Sequence, residues 1–337
     1  MKSITKKLFA ALAIVLTFQV SHAEPKHDGP VKIAVLMYGM KAEFVQLMER
    51  AAYDYPGVKS GEVELTVYDG RYDPLVQNNQ AETAIRTGHD AIIINPMDFN
   101  ANIDVVTMAN DAGIPVIVTN ARLNTDEMTA EVVSDDVEGG YLEGKAVIEA
   151  MGGSGNVIIL EGPKGGSGEI QRGQGIEKAI AEYPAGSIKI LERKTANWSR
   201  AEALPIMENW LMKHRGRING VIGQNDEMAL GAIEAIESTG GDVSDYAIAG
   251  IDGVTDAIYA VKDGKMTSIL QDARGQMQGS LDVALRHVLG PDFQPESDIW
   301  EQYEGQLEWN DGMSKRYDIP WTVVTIENAD ALLEMRN

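Results

Sequence analysis

Cysteine is absent from all 337 residues of the chain. A disulfide framework is therefore excluded, and so is a lipid-modified cysteine that would anchor an exported protein at its processing site. A chain of this length does not need such cross-links, because the fraction of surface buried on folding rises with size. The length is large for one compact core and predicts two domains of ordinary size.

Basic residues are scarce, since 29 Lys and Arg stand against 51 Asp and Glu, for a net charge of −22. This balance leaves no basic surface for phosphates and excludes nucleic acid as a partner. Only five histidines occur and none has His-Glu-x-x-His spacing, so we expect no metal and no cofactor. The glycine-rich loop at 161–168 lacks the phosphate-binding glycine spacings, and Ser167 lacks the flanks of a nucleophile elbow.

The first 23 residues have the pattern of a secretory signal peptide. Three lysines precede an apolar run at 8–20, and residues 21–23 form a small-x-Ala cleavage site. The run is about 13 residues long, whereas a spanning helix needs about 20, which disfavours the alternative of a membrane anchor. We expect cleavage after Ala23 and a location in the periplasm of a Gram-negative cell.

Apolar runs and amphipathic helical patterns alternate along the mature chain. Strands are predicted at 31–37, 63–68, 91–95, 114–119, 157–160, 188–191, 218–223, 247–251, 266–270 and 321–326. Helices are predicted at 44–55, 76–87, 101–112, 137–151, 170–183, 200–213, 224–236, 255–261 and 276–289. This alternation is typical of a parallel sheet with helices on both faces. Because the pattern starts again after residue 133, the predicted fold class is α/β, with two doubly wound parallel-sheet lobes and a cleft between them.

Amides and acids follow the predicted strands. They are Asn95, Asn120, Asn225, Asp252 and Gln271. In doubly wound sheets a ligand meets the carboxyl ends of the strands, so we expect these side chains to converge at one cleft. Groups of this kind pair with hydroxyls.

Some candidate residues could serve the structure instead of a ligand. Asn225 or Asp226 suits the N-cap of the helix at 224–236, and Asp252 in GIDG suits a turn. Trp198 precedes an amphipathic helix and fits either a core or a ligand platform. Arg172 stands at the start of a helix, where the dipole favours acids, and this misfit favours a functional role over a solvated surface.

The order of several short motifs resembles one known family. The motifs are INP at 94–96, IPVIVTN at 114–120, SDD followed by GG at 134–140, LEG and QRGQG around 160–175, QNDEMALGAIEAI at 224–236, then AGIDG, TSILQDARGQ and IPWTVVTIENAD. Together they resemble the sugar-binding proteins of bacterial ABC importers, of the ribose and glucose/galactose type. The resemblance covers essentially the whole mature chain.

The resemblance implies the type I periplasmic binding protein fold, in which a three-crossover hinge joins two lobes. We expect the crossovers near 133–135, 271–273 and 317–321. The N-terminal lobe would then comprise 24–134 plus 273–318, and the C-terminal lobe 135–272 plus 319–337.

The resemblance also implies a set of ligand-binding residues. Polar cleft positions of the family match Asn120, Arg172, Asn225, Asp252 and Gln271 of this chain. Phe44 and Trp198 match the two aromatic positions that sandwich the sugar ring, whose CH-rich faces suit aromatic planes. Lys41 and Arg122 are further candidates, because each stands beside a position where the family pattern is broken.

Differences between this sequence and the family pattern affect which ligand is expected. Ala42 stands where the family offers Asn or Asp, flanked by the charges of Lys41 and Glu43, and Ala121 stands where a basic residue is usual. GGSG at 152–155 replaces the calcium loop of the glucose/galactose branch, so we expect no calcium. Trp198 in place of Phe favours a six-membered ring, a hexopyranose or a cyclitol such as inositol, over ribose.

The expected function is therefore capture of a monosaccharide or cyclic polyol by a monomer that delivers it to an ABC importer permease, without any reaction. One alternative is a sugar-loaded ligand for a chemoreceptor, and another is a ribose or amino-sugar ligand. A sugar-responsive repressor is disfavoured by the export signal and the acidic balance. An enzyme is disfavoured because no nucleophile–base pair or metal set is present in the sequence.

Overall fold

The computed structural model describes residues 29–336. The predicted signal peptide and its cleavage site lie outside the described residues. Two α/β lobes make up the described chain, and each is built on a six-stranded sheet. Within residues 29–336, no helix combines the length and apolarity that crossing a membrane requires.

The helices and strands follow the predicted alternation. The strands are β1 (Val31–Met37), β2 (Val63–Asp69), β3 (Ala91–Ile94), β4 (Val116–Asn120), β5 (Ala130–Val133), β6 (Gly155–Glu161), β7 (Ile188–Thr195), β8 (Gly220–Gly223), β9 (Ala247–Asp252), β10 (Thr267–Leu270), β11 (Arg316–Asp318) and β12 (Thr322–Val323). The helices are α1 (Glu43–Tyr53), α2 (Pro56–Ser60), α3 (Pro74–Arg86), α4 (Ile103–Asp111), α5 (Asp136–Ala150), α6 (Ser167–Ala181), α7 (Arg200–Lys213), α8 (Asp226–Ser238), α9 (Thr255–Lys262), α10 (Ala273–Leu289), α11 (Ile299–Gln302) and α12 (Ile326–Glu334).

The first sheet has the strand order β11-β5-β4-β3-β1-β2, and all of its pairs are parallel. Its central strand β3 is an unbroken apolar segment whose four side chains are fully buried. Burial on both faces explains this composition, because helices cover a parallel sheet from either side. Each buried isoleucine contributes about 1.5–3 kcal/mol relative to an exposed one.

The second sheet has the order β12-β10-β9-β8-β6-β7, in which only the short edge pair β10–β12 is antiparallel. Helices α5 and α6 pack together beside this sheet, and α7 packs against α8. The two lobes therefore share one architecture, with the carboxyl ends of their parallel strands available to a common cleft.

The chain passes between the lobes three times. The first passage joins β5 to α5, the second joins β10 to α10, and the third joins β11 to β12. Helix α10 returns to the first lobe, where it contacts α1, β3, β4 and β5, while α12 contacts α9 in the second. The fold is thus the predicted pair of doubly wound lobes on a three-crossover hinge.

The tail of the chain differs from the prediction. The β-branched run at 321–326 predicted one strand, whereas β12 has two residues and α12 begins at Ile326. The side chain of Thr325 accepts from the backbone of Asn328, whose own side chain accepts from the backbone of Thr325. This capping box satisfies the first free N–H groups of α12 and outweighs the local strand propensity.

Candidate functional site

A cavity of about 520 Å³, including its open mouth, lies between the lobes. The first lobe contributes Tyr38, Phe44, Pro96, Met97, Asn120 and Ala121. The second lobe and the hinge contribute Asp136, Gly166, Ser167, Gly168, Arg172, Trp198, Asn225, Asp252 and Gln271. Seven of the nine side chains predicted from the sequence are therefore brought together here.

Arg172 lies at the centre of the polar wall and is held by three protein groups. Its Nε donates to Asp136 Oδ1 at 2.8 Å, Nη1 to the Gln224 carbonyl at 2.6 Å and Nη2 to Gln271 Oε1 at 3.2 Å. Only 6% of the residue is exposed, and a buried guanidinium requires such partners. Its Cζ also lies 5.3 Å from the centroid of the Trp198 ring. The side chain is therefore fixed before any ligand arrives.

Two glycines place Asp136 and Arg172 next to each other. They let helices α5 and α6 approach until a Cβ on Gly140 would meet the Arg172 carbonyl oxygen at 2.1 Å. A Cβ on Gly175 would meet the Val137 carbonyl oxygen at the same distance. The GG and QRGQG motifs therefore serve close helix packing, which carries the ion pair into the cleft wall.

Asp252 ends strand β9 with a backbone φ of 130°, in the region that favours glycine. Its carboxylate faces the cavity, is 6% exposed, and receives no hydrogen bond from any residue in the described part of the chain. Burial raises the pKa of Asp252 well above its usual range, and the nearby Arg172 opposes this shift. A buried carboxylate without a protein donor is suited to accept hydrogen bonds from a ligand.

Asn225 both caps a helix and lines the cleft. Its Oδ1 accepts from the backbone N–H of Met228 at 3.0 Å, which caps α8. Its Nδ2 is 3.5 Å from the Trp198 carbonyl oxygen and lies in the cavity wall. Capping α8 therefore does not prevent this amide from facing the cavity.

Asp226 does not line the cavity. It is fully buried behind Asn225, where its Oδ2 accepts from Val254 N at 3.0 Å and from Ser268 Oγ at 2.8 Å. Burial raises the pKa of Asp226 to about 7. Its role is to join the start of α8 to the loop that follows Asp252.

Aromatic rings enter the cavity from opposite lobes. Phe44 projects from α1 in the first lobe and is 4% exposed. Trp198 precedes α7 in the second lobe, in a left-handed conformation with φ of 57°. A Cβ on Gly162 would lie 2.1 Å from the Trp198 ring, so this glycine makes room for the indole. Each lobe therefore contributes one aromatic ring to the cavity wall.

A buried amide network ties the cleft to the hinge. Asn120 Nδ2 donates to Gln276 Oε1 at 3.1 Å, and Gln276 Nε2 donates to Ser134 Oγ at 3.0 Å. Ser134 belongs to the first crossover, and Gln276 follows the second. Gln271, beside the second crossover, is 1% exposed, and its Nε2 has no partner within residues 29–336.

Lys41 and Arg122 are not part of the cavity lining. Lys41 is exposed, and its Nζ lies 5.7 Å from the centroid of the Tyr72 ring. Arg122 turns away to Glu131, with Nε–Oε2 and Nη2–Oε1 distances of 3.1 and 2.9 Å. The strong bidentate pair explains the direction of the Arg122 side chain.

Sequence reasoning missed three polar side chains of the wall, Tyr38, Asp136 and Ser167. Tyr38 directly follows β1, so the rule that ligands meet strand ends would have found it. Asp136 stands in the SDD motif, but its position beside Arg172 depends on the packing of α5 on α6, which no local pattern reveals. Within residues 29–336, no cluster of three or more His, Asp or Glu side chains could hold a metal ion.

Hydrogen bonds join the lobes around the cavity mouth. Ser167 Oγ accepts from Arg122 N at 2.7 Å, and the Gly165 carbonyl oxygen accepts from Phe99 N at 2.9 Å. Glu43 contacts Thr255 on the other side. The lobes are thus closed on each other.

The family model described as a periplasmic binding protein domain matches residues 33–292. The chain belongs to the type I periplasmic binding protein family. Members of this family are the substrate-binding components of transporters and work in the periplasm.

Proteins similar to this chain are named for binding sugars or polyols. The chain is 37% identical over 262 residues to the xylitol-binding protein of Mycolicibacterium smegmatis, covering 77% of this chain and 73% of that protein. It is 33% identical over 213 residues to the ribose import binding protein of Escherichia coli, covering 63% and 70%. Among solved structures, an ABC transporter solute binding protein from Bacillus halodurans with bound myo-inositol has a TM-score of 0.77 and 31% identity, covering 92% of this chain and 99% of that one.

Proposed function

We propose that this periplasmic binding protein captures a monosaccharide or a cyclic polyol in the interlobe cleft and delivers it to the permease of an ABC importer. The observation that carries the proposal is the cavity between Phe44 and Trp198, whose remaining wall is built from amides, acids and one arginine. Apolar faces with polar edges are the surface of a pyranose or cyclitol ring. The bound myo-inositol of the Bacillus halodurans relative supports a six-membered ring.

Affinity arises from hydrogen bonds made in a closed, water-excluding cavity. Asp252, Asn225 and Asn120 pair with ligand hydroxyls, while Arg172 orients Asp136 and Gln271 toward the same space. A ligand that lacks one hydroxyl leaves a buried polar atom unpaired, at a cost of about 1–3 kcal/mol. The same contacts therefore provide discrimination. No chemical step is part of the proposed cycle.

Calorimetry tests the proposal directly. Mature protein is titrated with a panel of aldohexoses, pentoses, inositols and linear polyols, and each ligand is incubated with the protein to look for turnover. We expect micromolar or tighter binding of at least one ligand without turnover. Absence of binding across the panel, or hydrolytic or redox turnover instead, would contradict the proposal.

The remaining parts of the proposal concern location and partners. We propose cleavage after Ala23, which N-terminal sequencing of the periplasmic protein tests, and a monomeric state, which light scattering tests. We also propose lobe boundaries at 134/135, 272/273 and 318/319, where the chain passes from one sheet to the other. Pull-down of a chemoreceptor instead of a permease from solubilised membranes would assign the sensory role.

A further inference from the structure

Charge is unbalanced in the wall of the cavity. Of the side chains that line it, Asp136 and Asp252 are carboxylates, and Arg172 is the one cation. All three are at least nine-tenths buried, so solvent screens their charges little. With both acids ionised, the wall carries a net charge of −1.

The protein uses three of the five N–H groups of the guanidinium. Arg172 donates to Asp136, to the Gln224 carbonyl and to Gln271, and its face lies against Trp198. It therefore neutralises Asp136 and leaves Asp252 without a partner of opposite charge in contact. Burial raises the pKa of Asp252 most, Arg172 lowers it, and the acids Asp226, Glu227 and Asp136 raise it further.

Three carboxylate oxygens of the wall accept from no protein group within residues 29–336. Within the described chain, no group donates to either Asp252 oxygen or to Asp136 Oδ2, and Asn120 has its Nδ2 bound to Gln276. The donors that remain include one N–H each on Arg172 Nη1 and Nη2, together with neutral groups such as the amides of Asn225 and Gln271 and the phenol of Tyr38. Hydroxyls bring donors and acceptors together, whereas an ammonium brings three donors, no acceptor and a positive charge.

We propose that the preferred ligand is an amino sugar or amino polyol whose protonated amine contacts Asp252 while its hydroxyls meet the amides. Charge-assisted hydrogen bonds are roughly twice as strong as neutral ones, and burial of Asp252 protects such a bond from solvent. This inference rests on the proposed function, because it specifies the ligand of the same cleft.

Matched ligand pairs test the charge preference on the unmodified protein. Glucosamine is compared with glucose, galactosamine with galactose, and 1-amino-1-deoxysorbitol with sorbitol, by calorimetry at pH 7. N-acetylglucosamine controls for the nitrogen without its charge. For at least one pair we expect the amine to bind 10-fold or more tightly than the hydroxyl compound. Binding of neutral compounds with equal or weaker binding of every amine would overturn the inference and leave the proposed function intact.

The variant Asp252→Asn keeps the size of the side chain and removes its charge. We expect it to abolish the preference for the amine, with the amine losing at least 10 times more affinity than its neutral counterpart. Asp256→Asn, at an exposed acid that pairs with Arg200 outside the cavity, is the matched control and should retain the preference. An equal loss for both members of a pair would assign Asp252 to hydroxyl recognition alone.

Ligand released from protein purified under native conditions provides an independent measurement. Accurate mass distinguishes a nitrogen-containing polyol from a compound of carbon, hydrogen and oxygen only. A composition that matches a free amine supports the inference, and a nitrogen-free or N-acylated sugar or polyol overturns it. No binding in any of these experiments would instead contradict the proposed function itself.

Discussion

Glu43 and Thr255 connect the two lobes across the mouth of the cleft. The Glu43 carboxylate, on α1 of the first lobe, accepts from the backbone N–H of Thr255 at 3.1 Å and also from its hydroxyl. Thr255 is the first residue of α9 in the second lobe, and its own N-cap position is Val254, whose side chain makes no cap. One lobe therefore supplies the capping carboxylate for a helix of the other. The contact depends on the closed arrangement and stabilises it.

Removing this contact should weaken ligand binding without touching the cavity wall. We expect Glu43→Ala to raise the Kd about 10-fold, because a charge-assisted hydrogen bond contributes about 1.5–3 kcal/mol and only the closed state has it. A double-mutant cycle with Thr255→Ala, read by calorimetry, should give a coupling of about 1 kcal/mol or more.

Glu49→Ala provides the control for the interlobe contact. Glu49 lies on the same helix and has no hydrogen-bond or ion-pair partner within residues 29–336. We expect the Kd of Glu49→Ala to match that of the parent protein. Small-angle scattering of the ligand-free proteins should show a larger radius of gyration for Glu43→Ala and not for Glu49→Ala. Additive effects of Glu43→Ala and Thr255→Ala would show that the two residues act independently.

Trp198 should contribute to affinity much more than to stability. Its ring lies in the cavity wall beside Arg172, and part of it is exposed. We expect Trp198→Ala to raise the Kd at least 10-fold through loss of the stacking face, and Trp198→Phe to cause a smaller loss. The measurements are calorimetry and thermal unfolding. A lower Tm with an unchanged Kd would favour the alternative role of this tryptophan as a core residue.

Much of the fold could be predicted because buried strands have a strong signature. Strand β1 and helix α7 begin and end at the predicted residues, and most other elements differ by one to three residues. Strands β5 and β11 were not predicted, since each is short and depends on its neighbours in the sheet. Pro56, just past the helix predicted at 44–55, starts the short helix α2, as proline does at a first helical position.

The site was predictable to the extent that it consists of residues at strand ends. Asn120, Asp252 and Gln271 end or follow strands, and the sheet topology brings them together. Side-chain direction was not predictable in the same way. Arg122 stands two residues after Asn120, yet Glu131 from the neighbouring strand β5 draws it out of the cleft. Only the tertiary arrangement decides between these partners.

The two roles of Asn225 can be separated by substitution. Serine is also a good N-cap, but its hydroxyl does not reach where Nδ2 lies. We expect the free energy of unfolding of Asn225→Ser to stay within about 0.5 kcal/mol of the parent, while ligand binding weakens by about 1–3 kcal/mol. Asn225→Ala should lose both, with about 1 kcal/mol of stability from the missing cap. Calorimetry and urea unfolding on both variants check this, and unchanged affinity in Asn225→Ser would confine the residue to capping.

Buried Asp226 predicts that the protein becomes less stable as the pH rises. Burial raises its pKa to about 7 in the folded protein, compared with about 3.9 in an unfolded chain. The folded state therefore binds this proton more tightly, so the contribution to the free energy of unfolding is fully present below about pH 4 and is lost as the pH rises through about 7. Glu143, Asp252 and Asp282 have pKa values that burial also raises, and they add to the same trend.

The variant Asp226→Asn isolates the contribution of this carboxyl to the pH dependence of stability. Its amide oxygen can still accept from Val254 N and Ser268 Oγ, but it does not titrate. Urea unfolding at pH 5 and pH 8 should show a fall in the free energy of unfolding that is smaller in the variant than in the parent by roughly 2 kcal/mol. An identical fall in both proteins would mean that Asp226 does not titrate in this range. That outcome is expected if the two donors hold the carboxyl ionised, because its contribution would then be constant above about pH 5.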